Sequence, residues 1–195
     1  MEIYKQYGYF LTSPRQKYGS ILTVILDSDV KSGRGRGALK LNCDASFSST
    51  TKAGGWGYVI RDCDGDVVTA GRGRVQYLYN ALQAEIIACL QGAQAAINQE
   101  ISNLILETDA LMVKQALQYE DFSNSLVGGL VEELRFLVTM NFSSFRCVSI
   151  PRECNRVAHE LAAVGCNCDE GSETIINSLP AHIHVIVAEE SSTHE

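Results

Sequence analysis

The sequence predicts a mixed α/β fold, in which a five-stranded mixed sheet with its first three strands antiparallel is flanked by helices. Two observations carry this prediction. Three segments of alternating apolar and polar residues come first, and segments of helical period then take turns with short apolar runs. Alternation is typical of strands covered on one face, whereas a strand–helix–strand crossover is typical of parallel pairing. The chain should therefore combine antiparallel and parallel strands in one sheet.

The elements follow from local patterns along the chain. Five segments are predicted as strands: 38–47, 55–61, 67–73, 104–107 and 145–150. Four segments are predicted as helices from their apolar spacing and helix-forming residues: 81–98, 110–119, 126–140 and 155–164. Asp64 and Gly65 mark a tight turn between the second and third strands. Pro151 ends the last strand and Gly165 ends the last helix.

Composition divides the chain of 195 residues into one domain with two flanking segments. Residues 1–37 are predicted as an N-terminal extension that ends in a Gly/Arg linker, although a run of this kind can also contact nucleic acid. Residues 38–168 form the predicted domain. Residues 169–195 are predicted as an acidic tail, weakly ordered apart from a short element around 179–187.

The net charge of −7 disfavours tight nonspecific binding to nucleic acid, because such binding usually depends on a basic surface. An acidic metal site would itself contribute several of these negative charges. The sequence shows neither a signal peptide nor an apolar run of the roughly 20 residues that a membrane span needs. The expected partner is therefore not a membrane.

The seven cysteines are scattered and lie mostly in apolar runs, which predicts reduced thiols that pack as small apolar side chains. Cys166 and Cys168 could suggest zinc, but no second Cys or His pair stands at zinc-finger spacing. Reduced thiols are typical of the cytoplasm and nucleus, so we expect an intracellular protein from one of these compartments.

Three acids stand in separate parts of the predicted domain. Asp44 and Asp109 come at the ends of short apolar strands, and Glu85 lies early in helix 81–98. Strand ends and a facing helix could bring these carboxylates together. Because Mg²⁺ prefers oxygen ligands, the acids predict a Mg²⁺ site of the kind that acts on phosphodiesters. The alternatives are that Asp44 and Asp109 only form turns or caps, and that Glu85 is a solvated helix residue.

The sequence motifs of several segments resemble one known family, the type 1 ribonuclease H fold. The resemblance is in particular to the plant reverse-transcriptase-like domains related to retroelement ribonuclease H. The resemblance spans residue 38 to about residue 165 and touches the tail at 179–183. The segments that carry it occur in the family's order: 41–47, 54–62, 84–88, 106–109 and 150–162.

The resemblance implies a ribonuclease H-like fold and hydrolysis of the RNA strand of RNA–DNA hybrids with two Mg²⁺ ions. By resemblance, Asp44 would bridge both ions, and Glu85 and Asp109 would complete the catalytic site. The 2′-hydroxyl group would let the site choose RNA over DNA. Nucleic-acid contacts are expected at Ser46, Asn80 and Asn155, although Ser46 and Asn80 could merely cap or turn the chain.

His159 stands where the family motif has a fourth acid, so it takes that place in the predicted catalytic and metal site. A neutral imidazole can bind a metal but brings no negative charge and suits softer ions than Mg²⁺. We therefore expect a weakened second metal and a slow or Mn²⁺-preferring enzyme. The alternative is a surface histidine without a metal role.

Segment 126–140 contains Glu132 and Glu133 but only Arg135, so the basic projection with which some members grip the hybrid is absent. Two functions are compatible with these observations. One is a metal-dependent ribonuclease acting on RNA–DNA hybrids, and the other is a catalytically silent module that binds nucleic acid or protein.

Overall fold

The structure is a computed structural model that describes residues 37–169, 174–176, 179 and 181–192. Its strands are β1 (Leu39–Ser48), β2 (Ala53–Arg61), β3 (Val67–Val75), β4 (Asn103–Thr108), β5 (Ser144–Ser149) and β6 (Thr174–Ile176). Its α-helices are α1 (Ala81–Asn98), α2 (Leu111–Gln118), α3 (Gly128–Asn141), α4 (Arg156–Gly165) and α5 (Ala181–Ser192). Two short 3₁₀ helices occupy Glu120–Asn124 and Arg152–Cys154.

The strands form one mixed sheet in the order β5-β4-β1-β2-β3-β6. Pairing is antiparallel between β1 and β2 and between β2 and β3, and it is parallel between β1 and β4 and between β4 and β5. The predicted five-stranded mixed sheet is confirmed. The three residues of β6 extend it by an antiparallel pair with β3.

The structure adds to the sequence prediction at the C-terminal end of the chain but not at the N-terminal end. The predicted extension lies almost wholly outside the described residues, which begin at Gly37. At the other end, α5 continues past the predicted element to Ser192. Its Ile183 is fully buried, and burial of such a side chain contributes about 1.5–3 kcal/mol, which helps to offset the entropy of ordering the helix.

The two faces of the sheet carry separate apolar cores. The larger core lies on the side of α1, where Leu41 and Cys43 of β1 join Trp56, Tyr58 and Ile60 of β2. The smaller core lies on the side of α4 and α5 and contains Val59, Ala70, Val157, Leu161, Leu179 and Ile183. Because side chains alternate along a strand, even positions of β1 point toward α4 and odd positions toward α1.

Glycines in β2 allow α4 to approach the sheet closely. A Cβ atom on Gly57 would collide with the backbone of Ala162 and lie 2.6 Å from the Ala158 carbonyl oxygen. A Cβ atom on Gly55 would likewise collide with Ala162. The absence of these side chains brings the helix backbone onto the strand, and this approach places the N-terminal turn of α4 beside β1.

None of the helices in the described part of the chain has the length and apolar character that crossing a membrane requires. All seven cysteines are free thiols. Cys43, Cys89 and Cys147 are buried, whereas Cys63 is exposed.

We expect Gly57→Ala to lower the free energy of unfolding by about 1–3 kcal/mol or more, because the added methyl group must displace the α4 backbone. The matched control is Gly129→Ala in α3, where an added Cβ meets no atom within 4 Å. This control should be neutral or stabilising by up to about 1 kcal/mol, since Ala favours helix more than Gly. Urea unfolding of both variants measures the difference, and equal effects would contradict the packing argument.

Candidate active site

Asp44 and Asp109 stand at the same edge of the parallel strand pair. The parallel register of β1 and β4 ends at Asn42 and Glu107, and each aspartate follows two residues later. Asp109 comes directly after β4, as the sequence predicts. Asp44, however, is not at a strand end: β1 continues to Ser48, and Asp44 pairs with Gly57 of β2. The antiparallel partner on the other side keeps β1 extended beyond the point where β4 leaves it.

The Asp44 side chain points toward α4 and is only 7% exposed. Its Oδ2 atom lies 2.8 Å from Nδ1 of His159. An ionised carboxylate can only accept, so Nδ1–H of His159 is the donor in this state. Burial raises the pKa of Asp44, the His159 hydrogen bond opposes that shift, and the charge of Asp109 adds to it. Asp44 is therefore a buried acid whose ionised form is disfavoured by its surroundings.

Glu85 approaches the same place from the second turn of α1. Burial is the main cause that raises its pKa to about 9, and the negative charges of Asp44 and Asp109 raise it further. A hydrogen bond from the Ala45 backbone lowers the pKa by less. The Glu85 Oε2 atom is buried and has no hydrogen-bond partner within the described residues. These observations exclude the alternative that Glu85 is a solvated helix residue.

Asn155 ties Asp109 to β1. Its side-chain Nδ2 group donates to the Cys43 carbonyl oxygen at 2.9 Å and to Asp109 Oδ1 at 2.8 Å. Ala110, not Asp109, stands at the N-cap of α2 and makes no side-chain capping bond, and its backbone amide donates to Thr108 Oγ1 at 3.1 Å. Asn155 is buried and both of its bonds are to protein, so its predicted contact with nucleic acid stays a prediction.

His159 lies one turn into α4, and its side chain is 38% exposed. The exposed guanidinium group of Arg152 lies 3.3 Å from its Nε2 and 3.4 Å from its Nδ1. The fold therefore places a cation and an imidazole beside Asp44, where the family motif has an acid. The distance of Arg152 from the ring depends on the turn between β5 and α4, which no local pattern in the sequence specifies.

The two other predicted nucleic-acid contacts lie on different elements. Ser46 is half-buried on the same face of β1 as Asp44. Asn80 is exposed and caps α1, since its Oδ1 accepts the Gln83 amide at 2.9 Å. Gln83 Oε1 in turn accepts the Tyr79 amide at 2.8 Å, which completes a reciprocal cap. Capping thus explains Asn80 locally, and contact of either residue with nucleic acid stays a prediction.

Arg135, the single basic residue of α3, bonds to other parts of the fold rather than pointing freely into solvent. Its guanidinium group donates to the carbonyl oxygens of Ala116 and Tyr119, at the C-terminal end of α2, and to Glu132. Its bonds satisfy carbonyl groups that the end of a helix leaves without partners. Arg135 therefore does not replace the absent basic projection.

Sequence reasoning missed a polar cluster beside the site. Arg61 donates to Asn42 Oδ1 at 2.8 Å and to Glu190 at 2.6 Å, and Asn42 donates to Glu107 at 3.1 Å. Asn42 could have been found, because it is a polar residue two positions before Asp44 in an apolar strand. Glu190 could not, since it is one of many acids in the tail.

The family assignment follows from the sequence over the part that forms the site. Residues 42–165, which include all four predicted catalytic positions, match the family model described as reverse transcriptase-like. The chain belongs to the reverse transcriptase-like family. No curated protein matches the chain.

Solved structures show that this reverse transcriptase-like domain has a ribonuclease H-like fold. The N-terminal RNase H domain of a Mycobacterium tuberculosis protein has a TM-score of 0.60 and 17% identity, with 67% of this chain and 94% of that chain covered. RNase H1 from Halobacterium salinarum has a TM-score of 0.57 and 19% identity, with coverage of 67% and 98%.

A third similar structure is LC11-RNase H1, solved in complex with an RNA/DNA hybrid. It has a TM-score of 0.59 and 16% identity, with 66% of this chain and 96% of that chain covered. At these identities the structures support the fold alone. The resemblance to plant domains related to retroelements stays a prediction.

The acids of this reverse transcriptase-like domain fit a divalent cation in charge but not fully in geometry. Burial and neighbouring negative charges raise the pKa of Asp44 and of Glu85, and a cation would oppose both shifts. The Glu85 Oε2 atom, which has no hydrogen-bond partner within the described residues, offers such a cation a free oxygen. However, within the described residues no group of three or more His, Cys, Asp or Glu side chains is arranged to hold a metal. The contact with His159 also occupies Asp44 Oδ2, one of the carboxylate oxygens that a cation would use.

We expect the metal-free domain to lose stability as pH rises from about 4.5 to about 9, because folded Glu85 keeps a proton that the unfolded chain releases. The slope contributed by one such group approaches about 1.4 kcal/mol per pH unit. Glu85→Gln should remove this slope, and urea unfolding in chelator across the pH range measures it.

The control for this prediction is Glu133→Gln in α3. Burial alone raises the pKa of Glu133, with no neighbouring acid among the causes. Mg²⁺ or Mn²⁺ should therefore restore stability near pH 8 in the parent and in Glu133→Gln, but much less in Glu85→Gln. Equal restoration in all three proteins would show that the ion binds elsewhere.

Proposed function

We propose that the protein is a divalent-metal-dependent ribonuclease that hydrolyses the RNA strand of RNA–DNA hybrids. One observation carries the proposal. Burial is the main cause that raises the pKa of Glu85 to about 9, and the charges of Asp44 and Asp109 lie close enough to raise it further. The acids from β1, α1 and the end of β4 therefore lie in one electrostatic environment. An ion pair would lower the pKa of an acid, so structural ion pairing does not explain the raised pKa of Glu85.

Asp44, Glu85 and Asp109 are the residues that would hold Mg²⁺ or Mn²⁺. A bound divalent ion lowers the pKa of its water to generate a nucleophile and stabilises the leaving oxygen of a phosphodiester. The chain supplies rigid positions for these acids. Asp44 is fixed within a paired strand, and the Asn155 bond at 2.8 Å fixes the Asp109 carboxylate.

His159 limits the proposed activity in two ways. It replaces a negative charge with a group that is neutral or positive, and its 2.8 Å contact occupies one oxygen of Asp44. The ring would have to leave this oxygen, or share it, for Asp44 to help hold a divalent ion through it. We therefore propose a slow enzyme that favours Mn²⁺, since imidazole suits transition metals better than Mg²⁺.

Binding of the hybrid should depend on few cations. Arg135 is committed to α2, whereas the exposed Arg152 guanidinium stands beside the site and could meet a phosphate group. Ser46 and Asn80 remain the proposed polar contacts. With a net charge of −7, we expect weak binding that falls with added salt.

A second candidate is a catalytically silent module that binds nucleic acid or another protein. The Asp44 contact with His159 and the absence of a three-ligand group in the described residues both favour it. In this case the Asp44–His159 pair would be a structural bond that replaces a metal ion.

Cleavage of a labelled RNA–DNA hybrid in Mg²⁺ and in Mn²⁺ distinguishes the two candidates. We expect parental cleavage to be faster in Mn²⁺. Asp44→Asn should reduce it by about 100-fold or more, the usual effect of removing one preorganised charge-stabilising group. His159→Asp should increase cleavage in Mg²⁺ by at least about tenfold, because even indirect ligand changes alter metal sites by about 10–100-fold.

Glu153→Gln is the matched control, because it removes an exposed acid from the turn before α4 and should leave cleavage unchanged. Hybrid binding is measured beside cleavage by fluorescence anisotropy. Binding without cleavage in the parent, together with cleavage by His159→Asp, would support the silent module. Cleavage that survives Asp44→Asn would reject the proposed site.

A further inference from the structure

A buried charge pair joins the C-terminal helix to the sheet. Glu190 of α5 is 5% exposed, and its Oε2 lies 2.6 Å from Nη1 of Arg61 at the end of β2. The other arm of the guanidinium group donates to Asn42, two residues before Asp44. The pair therefore lies on the face of the sheet that carries the proposed site.

The second oxygen of Glu190 caps α4. Its Oε1 accepts the backbone amide of Arg156 at 2.8 Å and that of Val157 at 3.3 Å. The first amides of a helix lack partners within the helix, and a negative charge there also meets the positive end of the helix dipole. A helix is usually capped by a side chain near its own start. Here Glu190, from the C-terminal helix, caps α4 instead.

Asn155 explains why the cap comes from elsewhere. It stands at the N-cap position of α4 but makes no side-chain capping bond there. Its amide group donates instead to Cys43 and Asp109. One residue cannot aim its side chain both at the site and at its own helix, so Glu190 provides the cap that Asn155 leaves unmade.

The cap adjoins the site directly. Arg156 follows Asn155, and the His159 amide donates to the Asn155 carbonyl oxygen at 3.0 Å, within the same turn. A shift of this turn would move the Asn155 clamp on Asp109 and the His159 contact with Asp44 together. We propose that Glu190 is a positioning residue that sets the first turn of α4, and that α5 belongs to the functional unit.

The inference deepens the proposed function and rests on it for activity, but the position of Asn155 can be measured without activity. Two double variants of the full chain remove the buried charges equally. Arg61→Gln with Glu190→Gln keeps an oxygen that can cap α4, whereas Arg61→Gln with Glu190→Ala does not. Of the charges in the Arg61–Glu190 pair, neither double variant leaves one buried without the other, which protects the fold of both. Glu189→Gln is the control, since Glu189 pairs with Arg156 at the exposed surface.

Amide exchange and side-chain resonances are followed by NMR. In the Glu190→Gln double variant we expect the Asn155 side-chain signals to lie near those of the parent. In the Glu190→Ala double variant these signals and those of His159 should shift. The Arg156 and Val157 amides should exchange about 5- to 30-fold faster, as loss of a helix cap implies. Glu189→Gln should behave as the parent.

Cleavage in Mn²⁺ adds a second readout. The Glu190→Ala double variant should lose kcat by about tenfold with little change in KM, and the Glu190→Gln double variant should recover it. Unchanged Asn155 and His159 signals in a folded Glu190→Ala double variant would overturn the inference and leave Glu190 a stabilising residue. If no protein cleaves, the proposed function fails while the NMR result still decides the role of Glu190.

Discussion

The close contact of α4 with the sheet is the constraint on which the rest of the structure depends. Gly55 and Gly57 let the helix backbone reach β2, and the Asn155 amide then bonds the β1 backbone and the Asp109 carboxylate. This contact brings His159 onto Asp44. A side chain at either glycine would separate the helix from the strands, and the residues of the site would no longer meet.

Electrostatics at the site follow from this contact. Burial raises the pKa of both Asp44 and Glu85, the charge of Asp109 raises both further, and the charge of Asp44 adds to the shift of Glu85. The hydrogen bond from His159 opposes the rise in the pKa of Asp44, but the pKa of Glu85 stays raised. The same histidine bonds Asp44 in the metal-free fold, and it would compete with any ion that this carboxylate held.

The C-terminal helix extends this arrangement beyond the segment that matches the family. Glu190 reaches a guanidinium group 129 positions earlier in the chain and the backbone of α4. Arg61 and Asn42 then connect it to β1. The cap also explains how Asn155 can serve the site, because the helix it begins is capped by another residue.

By itself the sequence determined the order of the first five strands and four helices and their mixed sheet, and it marked Asp44, Glu85 and Asp109 as candidate site acids, because local periodicity and short motifs record these features. Tertiary structure decided what depends on distant pairs. Asp44 lies within β1 rather than at its end because β2 pairs beyond the point where β4 leaves. The His159 contact joins positions 115 residues apart, and no local pattern encodes such a distance. The side chain of Asn155 is likewise turned inward by bonds to Cys43 and Asp109 that only the assembled fold provides.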